Sequence, residues 1–306
     1  MNMPLNRSLL IGLEGTVLNA WEKQILRQFP PLGVILFARN TESPEQVRGL
    51  LGEVRQSTGE ASWAAIDEEG GRVHRMAWAP FYPRRPATEY GQMMARSRPA
   101  AVQAVYDDSL CIGEALNALG FTHNCAPVLD LFHPEGHGII GERAYGADVK
   151  MVAELGAACL RGLGDAGVAA VGKHFPGHGR ANADSHLAVP CVDAPLEMLL
   201  AEAQSFARLV EAGLQHVMTA HVVYAQADER IATLSPFWLG EVLRKRFGFQ
   251  GRIWSDDLSM KGVGDDAPAA ANAALAAGCN VLPVCQPQDV RRVYQSFAAD
   301  MLGSGA

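Results

Sequence analysis

The segment Val168–Gly179, with the sequence VAAVGKHFPGHG, joins a short apolar run to a polar stretch that cannot form a helix. Its first four residues have the length and composition of a buried strand. Pro176 lacks a backbone donor, and Gly177 and Gly179 accept backbone dihedrals that other residues avoid. Catalytic groups are often found in a loop of titratable side chains that follows a strand. The segment therefore predicts a strand that leads into a functional loop.

The same alternation of a short apolar run and a longer helix-like segment recurs along the whole chain. The runs predict eight strands, at Leu9–Leu13, Gly33–Phe37, Trp63–Ile66, Thr122–Pro127, Ala169–Lys173, His216–Ala220, Arg252–Ser255 and Val281–Val284. The segments between and after them predict helices at Ala20–Gln28, Pro44–Gln56, Pro99–Leu119, Val149–Asp165, Pro195–Glu211, Pro236–Arg246, Ala267–Ala277 and Gln288–Met301. Eight strand–helix units predict an α/β fold, a single-domain (β/α)8 TIM barrel over residues 1–306. A doubly wound sheet with fewer strands is the alternative.

Composition narrows the class of protein. The 306 residues are 48% hydrophobic and carry a formal net charge of −7, which argues against nucleic acid or an anionic membrane as partner. Six scattered cysteines, mostly in apolar runs, favour reduced core thiols over disulfides or a zinc site. Ser8–Leu13 has the length of a strand rather than of a signal-peptide core, and no apolar segment approaches the ~18 residues of a membrane span. We expect a cytoplasmic protein, and a monomer.

Polar residues follow five consecutive predicted strands. They are Asp67-Glu68-Glu69 after the third, Asp130 after the fourth, Lys173-His174 after the fifth, His221 after the sixth and Asp256-Asp257 after the seventh. In a barrel the carboxyl ends of the strands share one face, and barrel enzymes keep their active sites there. These side chains are therefore expected to cluster on that face.

The acids of the seventh strand and the loop after the fifth suggest glycoside chemistry. A carboxylate from Asp256 or Asp257 would point into the barrel mouth, where it could attack an anomeric carbon or stabilise a cation. Retaining hydrolysis needs such a nucleophile and a proton donor, and an imidazole can donate when its pKa lies near the working pH. His186 is such a donor, and Asp184 lies close enough to orient its ring. We expect one of the two strand-end acids to be catalytic and the other, Asp257, to be a helix N-cap.

Two further loops carry acids beside arginines. Asp67–Arg75 (DEEGGRVHR) turns at a Gly-Gly pair, so a carboxylate there could accept hydrogen bonds from two sugar hydroxyls while an arginine donates to others. In Ile139–Gly146 (IIGERAYG), Arg143 is either a ligand donor or a partner in a structural salt bridge.

The polar residues of the fifth and sixth strands allow two interpretations each. Lys173 and His174 could bind substrate or hold the loop. Inside a barrel, Lys173 would need a partner such as Glu142 or Asp130 to remain charged. For His221, support of neighbouring groups is favoured over direct catalysis.

Taken together, these motifs resemble one enzyme family. DEEGGRVHR, IGERAY, KHFPGHG, DSH (Asp184–His186) and SDDLSM (Ser255–Met260) occur in this order, and the similarity runs from about residue 8 to about residue 285. They closely resemble the glycoside hydrolase family 3 β-N-acetylhexosaminidases of the bacterial peptidoglycan-recycling type. The resemblance implies a cytoplasmic TIM-barrel enzyme without cofactor or metal. Its reaction would remove a terminal, non-reducing β-linked GlcNAc, typically from GlcNAc-1,6-anhydroMurNAc and its peptide-bearing forms.

The same resemblance implies roles for individual residues. Asp256 would be the nucleophile that forms a covalent glycosyl-enzyme, so the acetamido group would not act as one. His186 would be the acid and then the base, with Asp184 as its dyad partner. The residues implied in sugar binding are Asp67, Arg75, Arg143, Lys173 and His174. Where the family usually has aliphatic residues this chain has Arg252 and Trp254, and Asn280 replaces an acidic residue, which predicts altered strand packing and a lost contact.

Four alternatives stay open at this point. Within the family, the enzyme could be a broader β-N-acetylhexosaminidase that acts on chitobiose, or a β-GlcNAc phosphorylase that uses phosphate in place of water. A metal-dependent barrel hydrolase could use the histidines, although Pro176 and the glycines break the helix that a His174/His178 metal pair would need. A binding-only barrel with a decayed site is the option that is not an enzyme.

Overall fold

A parallel eight-stranded barrel forms the centre of the molecule. The computed structural model describes residues 5–183 and 189–303. In chain order the strands of the whole structure are β1 Leu9–Gly12, β2 Gly33–Leu36, β3 Trp63–Ile66, β4 His123–Asn124, β5 Ala169–Phe175, β6 Cys191–Val192, β7 His216–Thr219, β8 Val223–Tyr224, β9 Asp228–Ile231, β10 Arg252–Trp254 and β11 Leu282–Val284. The barrel sheet has the order β10-β7-β5-β4-β3-β2-β1-β11.

Hydrogen bonds between the two outermost strands of this order close the barrel. The Ser255 amide donates to the Val281 carbonyl at 2.9 Å, and the Val281 amide donates to the Ile253 carbonyl at 3.1 Å. Asn280 contributes at the same seam, because its Oδ1 accepts from the Ile253 amide at 3.0 Å and from Arg244 Nη2 at 3.1 Å. The TIM-barrel prediction is therefore confirmed, and Asn280 makes two side-chain contacts of its own at the seam.

Helices connect the strands on the outside. Their bounds are α1 Ala20–Gln28, α2 Pro44–Thr58, α3 Ala87–Arg96, α4 Arg98–Leu119, α5 Val149–Asp165, α6 Leu196–Glu202, α7 Gln204–Glu211, a π-helix at Phe237–Arg246, α8 Ala267–Ala277 and α9 Pro287–Gly303. The sequence analysis did not predict α3, and the single helix predicted over Pro195–Glu211 is divided at Ala203. No helix in the described ranges is both long enough and apolar enough to cross a membrane.

Local sequence explains where these helices begin and end. Asn19 forms a capping box with Glu22: its Oδ1 accepts from the Glu22 amide at 2.9 Å, and the Glu22 carboxylate accepts from the Asn19 amide at 2.8 Å. Ser43 caps α2 just before Pro44, which suits the first helical turn. Gly120 ends α4 in the left-handed conformation, with φ of 102°.

Bulky side chains fill the amino-terminal half of the barrel interior. Trp254 is fully buried there and stacks on Trp63 with ring centroids 5.9 Å apart. Its indole Nε1 donates to His216 Nδ1 at 3.1 Å, and His123 lies against both Trp63 and His216. The aromatic residue that departs from the family pattern is thus a space-filling part of the barrel core.

A second, small sheet lies outside the barrel. It consists of β6, β8 and β9 in that order, and the sequence analysis did not predict it. Tyr224 of β8 is buried and donates from its hydroxyl to the Gly177 carbonyl at 2.7 Å. The sheet thereby supports the loop that leaves β5.

Candidate active site

The carboxyl ends of the barrel strands surround a cavity of about 270 Å³. Every predicted site residue within the described ranges lines it, namely Asp67, Arg75, Arg143, Lys173, His174 and Asp256. Asp184 and His186, the predicted acid–base pair, lie outside the described residues. The structure therefore brings the predicted nucleophile and all five predicted sugar-binding residues to one cavity.

Lys173 lies at the centre of a charged cluster in this cavity. Its Nζ contacts Asp67 Oδ1 at 2.7 Å and Glu69 Oε1 at 2.6 Å. The side chain is only 3% exposed, so these two carboxylates replace the water that the ammonium loses. The predicted partners of Lys173, Glu142 and Asp130, are wrong.

The reason lies in where those two acids point. Glu142 Oε1 accepts from the Arg72 backbone amide at 3.0 Å, on the loop beside the cavity. Asp130 is fully buried beneath β5 and is held by His174 and His178. Neither carboxylate faces Lys173.

Two arginines complete the charged cluster. Arg75 Nη2 donates to Asp67 Oδ2 at 3.0 Å. Arg143 binds Glu69 with two hydrogen bonds, from Nε at 2.7 Å and from Nη2 at 2.8 Å. The cluster thus contains three cations and two anions, and Arg143 makes a salt bridge at the cavity wall.

Charge compensation keeps this cluster ionised. Burial alone would raise the pKa of Asp67 and Glu69, but the neighbouring cations outweigh it, hold the Asp67 pKa below its usual value and lower that of Glu69 to about 2. Burial would lower the pKa of Lys173, and the two carboxylates raise it instead. At neutral pH the cavity therefore presents charged donors and acceptors that suit the hydroxyls of a sugar.

Asp130 fixes the orientation of His174. Its Oδ2 lies 2.7 Å from His174 Nδ1, and its Oδ1 accepts from the His178 amide at 2.6 Å. Burial opposes ionisation of Asp130, but the facing His174 outweighs it and lowers the Asp130 pKa. This contact favours the tautomer with a proton on Nδ1, which leaves Nε2 as an acceptor at the cavity, 3.4 Å from Arg143 Nη2.

The two acids after β10 have different surroundings. Asp256 lines the cavity, and its Oδ1 accepts from the Asp257 backbone amide at 2.8 Å. Asp257 Oδ1 accepts from the Ser259 amide at 2.8 Å and from the Cys285 amide at 2.9 Å. Asp257 thus braces the turn against the end of β11. It does not cap a helix as predicted, because the next helical turn, Lys261–Val263, begins after Met260.

Comparison with known proteins places this site in a family. Residues 14–302 match the model of the glycosyl hydrolase family 3 N-terminal domain. The chain belongs to glycosyl hydrolase family 3. It is a glycoside hydrolase.

Individual relatives agree with this assignment. A beta-hexosaminidase of Thioalkalivibrio sulfidiphilus is 41% identical over 297 residues, which cover 94% of this chain and 84% of that protein. A beta-hexosaminidase of Pseudomonas aeruginosa is 41% identical over 281 residues, covering 91% and 82%. Among solved structures, NagZ of Neisseria gonorrhoeae in complex with N-trifluoroacetyl-D-glucosamine aligns with a TM-score of 0.88 and 34% identity, covering 95% of this chain and 84% of that one.

Sequence reasoning missed two residues of this glycoside hydrolase's site. Glu69 holds Lys173 and Arg143 but was assigned no individual role, and Asp130 orients His174 but was considered only as a partner of Lys173. Both follow strand ends, where polar side chains were expected to cluster. That position was the available signal, but the sequence does not show which of several neighbouring acids faces the cavity.

Two further histidines, His221 and His178, are buried beside the site. His221 Nδ1 contacts Thr233 Oγ1 at 2.7 Å and its Nε2 contacts the Asp257 carbonyl at 3.0 Å, which is the supporting arrangement that was favoured. Burial lowers the pKa of His178 to about 4, so its ring is neutral at physiological pH. Within the described ranges, no three histidine, cysteine or acidic side chains converge as a metal site would require.

Proposed function

We propose that this glycoside hydrolase is a retaining exo-β-N-acetylglucosaminidase that works through a covalent glycosyl-enzyme. The observation that carries the proposal is that Asp256 lines the same cavity as the charged cluster around Lys173. A sugar held by that cluster would have Asp256 within the same enclosed space. The names of the relatives, beta-hexosaminidase and NagZ, support a β-linked N-acetylhexosamine as the sugar.

In the first step, an Asp256 carboxylate oxygen attacks the anomeric carbon while the bond to the leaving oxygen breaks. His186, oriented by Asp184, gives its proton to that oxygen. In the second step, water attacks the anomeric carbon, His186 takes the proton of the water, and the bond to Asp256 breaks. Each step inverts the anomeric centre, so the product keeps the β configuration.

The charged cluster would hold the terminal sugar for both steps. The carboxylate of Asp67 accepts hydrogen bonds from hydroxyl groups, and Arg75, Arg143 and Lys173 donate to hydroxyl oxygens. His174 offers the Nε2 atom of a ring that Asp130 orients. These bonds fix the sugar ring while the reaction proceeds between Asp256 and the loop that carries His186.

The proposed substrates are peptidoglycan fragments, GlcNAc-1,6-anhydroMurNAc and its peptide-bearing forms, turned over in the cytoplasm. This part of the proposal rests on the resemblance of the KHFPGHG and DSH motifs to the recycling enzymes. Chitobiose and the anhydromuropeptide differ only beyond the terminal sugar, so a direct comparison of kcat/KM on the two substrates distinguishes the recycling enzyme from a broader hexosaminidase.

The kinetic test uses an aryl β-GlcNAc and the variants Asp256→Ala and His186→Ala. We expect Asp256→Ala to lose at least about three orders of magnitude in kcat. For His186→Ala we expect a smaller loss with a good leaving group than with a poor one, because a good leaving group needs little protonation. The control is Asp265→Asn, an exposed acid on the following loop, which should keep wild-type activity.

Three outcomes would count against the proposal. Near-normal turnover by Asp256→Ala would overturn the mechanism. Equal losses on good and poor leaving groups would remove His186 as the acid. Release of GlcNAc-1-phosphate when inorganic phosphate is added would identify a phosphorylase instead of a hydrolase.

A further inference from the structure

Glu68 lies between two residues of the charged cluster but faces away from the cavity. Asp67 and Glu69 line the active-site cavity, whereas Glu68 lines a separate space of about 30 Å³ behind it. The Glu68 residue is only 1% exposed. A buried acid directly behind an active site requires a physical explanation, because burial of a carboxyl group is costly.

One oxygen of Glu68 ties the ends of a loop together. Glu68 Oε1 accepts from the Arg75 backbone amide at 2.7 Å and from the Met76 amide at 3.0 Å. On the opposite, cavity side of the same loop, Asp67 Oδ2 accepts from Arg75 Nη2. The segment from Asp67 to Met76 is therefore closed twice, once by backbone amides and once by the Arg75 side chain.

The backbone of Glu68 is itself fixed to the barrel. Its amide donates to Asn124 Oδ1 at 3.0 Å, and Asn124 Nδ2 donates back to the Glu68 carbonyl at 3.0 Å. Arg84 Nη1 also donates to that carbonyl at 3.3 Å. Glu68, held at its backbone by β4 and at its side chain by two amides, thus links the position of β4 to the backbone that carries Arg75.

Apart from the Glu68 bond to its amide, the Arg75 backbone is held at its carbonyl, which accepts from Thr41 Oγ1 at 2.7 Å. Among the described residues, the Arg75 side chain contacts Asp67 and lies over the Phe37 ring with its guanidinium carbon 5.5 Å from the ring centroid. The buried Nε of Arg75 has no hydrogen-bond acceptor among the residues that the structure describes. The place of the guanidinium in the cavity therefore depends on where the Arg75 backbone is held.

The second oxygen of Glu68 takes no part in holding the loop, and its burial is energetically costly. Glu68 Oε2 is buried and meets no donor among the described residues. Burial is the main cause that raises the pKa of Glu68 to about 7, against the hydrogen bonds from Arg75 and Met76 and the charges of Arg84 and Arg75. The other titratable groups that line the same space are Glu69, Arg143, Tyr145 and Cys159.

We propose that Glu68 is a positioning residue: its bonds to the Arg75 and Met76 amides hold Arg75 against Asp67 in the sugar-binding cavity. The proposal rests on the proposed function, because it takes Arg75 as a sugar-binding residue. Glu68 does not touch the substrate. It acts on substrate binding through Arg75.

The test is a double-mutant cycle on an aryl β-GlcNAc with Glu68→Ala, Arg75→Ala and the pair. We expect Glu68→Ala to raise KM by about tenfold and to change kcat by less than about threefold. In the Arg75→Ala background, the same substitution should raise KM by less than about twofold, because there is no guanidinium left to position. Glu68→Gln keeps the accepting oxygen and should keep KM within about threefold of the wild-type value.

Folding is checked by circular dichroism, and Glu68→Asp, which is too short to reach both amides, replaces the alanine variant if that variant does not fold. Additive effects on KM in the cycle would overturn the positioning role. So would a fall in kcat at unchanged KM, or a Glu68→Gln variant as impaired as Glu68→Ala. An unchanged KM in Arg75→Ala alone would overturn this proposal together with the assignment of Arg75, whereas the activity of Asp256→Ala tests the catalytic proposal independently.

Discussion

The two ends of the barrel interior bury titratable groups in opposite ways. At the carboxyl end, Asp67, Glu69 and Lys173 are buried beside opposite charges and stay ionised. At the amino end, His123 is buried and His216 is half-buried among tryptophan rings, and desolvation is the main cause that lowers their pKa to about 3 and about 4. The free-energy cost of burying a charge is offset by ion pairs at the carboxyl end. It is avoided at the amino end, where the imidazoles stay neutral.

The difference separates a site built to bind from a core built to fill space. Charges at the carboxyl end, the mouth of the barrel, are costly to desolvate, and their contacts with one another offset that cost. The neutral imidazoles at the amino end, the floor of the barrel, pack as aromatic groups against Trp63 and Trp254 and need no counter-ion. A substitution that removes one partner at the mouth should therefore do far more damage than a neutral replacement at the floor.

The largest effect is expected from Lys173→Met, which leaves Asp67 and Glu69 without their shared cation. Removing one partner of a buried ion pair typically costs about 3–5 kcal/mol in the free energy of unfolding. Substrate binding should fail as well, because the side chains of Asp67 and Glu69 would bind protons more readily and change position. We expect urea unfolding to show that loss, and kcat/KM to fall by about 100-fold or more.

Lys245→Met is the matched control, because Lys245 pairs with Glu241 at 2.7 Å with both side chains largely exposed. Its loss should cost less than about 0.5 kcal/mol and leave activity unchanged. Equal losses of stability in the two lysine variants would show that the cluster at the mouth is not compensated as described.

A second effect, absent at neutral pH and visible only as the pH falls, is expected at the floor. The folded-state pKa values of His123 and His216 lie below the ordinary value of 6.5, so the unfolded chain binds more protons below that pH. The contribution of the two histidines to stability is therefore complete above about pH 6.5, and each loses about 1.4 kcal/mol per pH unit as the pH falls toward 4. Urea unfolding of the wild type and of His123→Gln/His216→Gln should show this difference in slope.

The two glutamine side chains of the double variant stay uncharged at every pH in that range. The stability of this variant should therefore depend less on pH than that of the wild type, even if its absolute stability is lower. His137→Gln, at an exposed position, should leave the slope as it is. Parallel profiles of stability against pH for the wild type and the double variant would contradict the conclusion that His123 and His216 are uncharged in the folded protein.

The fold was predictable because its signals are local. Most barrel strands are short apolar runs between helix ends, and the prediction for β3, Trp63–Ile66, coincides with the observed strand. The small outer sheet escaped prediction because β6 and β8 have two residues each, too few to show a period. Helix α3 escaped because its polar residues offer no clear apolar run, although Tyr90 is buried.

The site was predictable as a set of strand ends but not as a set of contacts. Asp67, Lys173 and Asp256 line one cavity because the carboxyl ends of parallel strands meet. The pairing of Lys173 with Glu69 rather than Asp130 depends on side-chain direction within the barrel, which spacing along the chain does not encode. Asp184 and His186 lie outside the described residues, so their roles stay predictions from the motif.

The most direct test of the account is to trap the glycosyl-enzyme and locate it. Wild-type protein incubated with a slow, activated fluoro-analogue of β-GlcNAc is digested, and the modified peptide is sequenced by mass spectrometry. We expect one N-acetylhexosamine adduct, on Asp256, that disappears on further incubation in water and is absent from Asp256→Ala. An adduct on another residue, or steady turnover to a product of inverted configuration without any adduct, would contradict the proposal that Asp256 is the nucleophile.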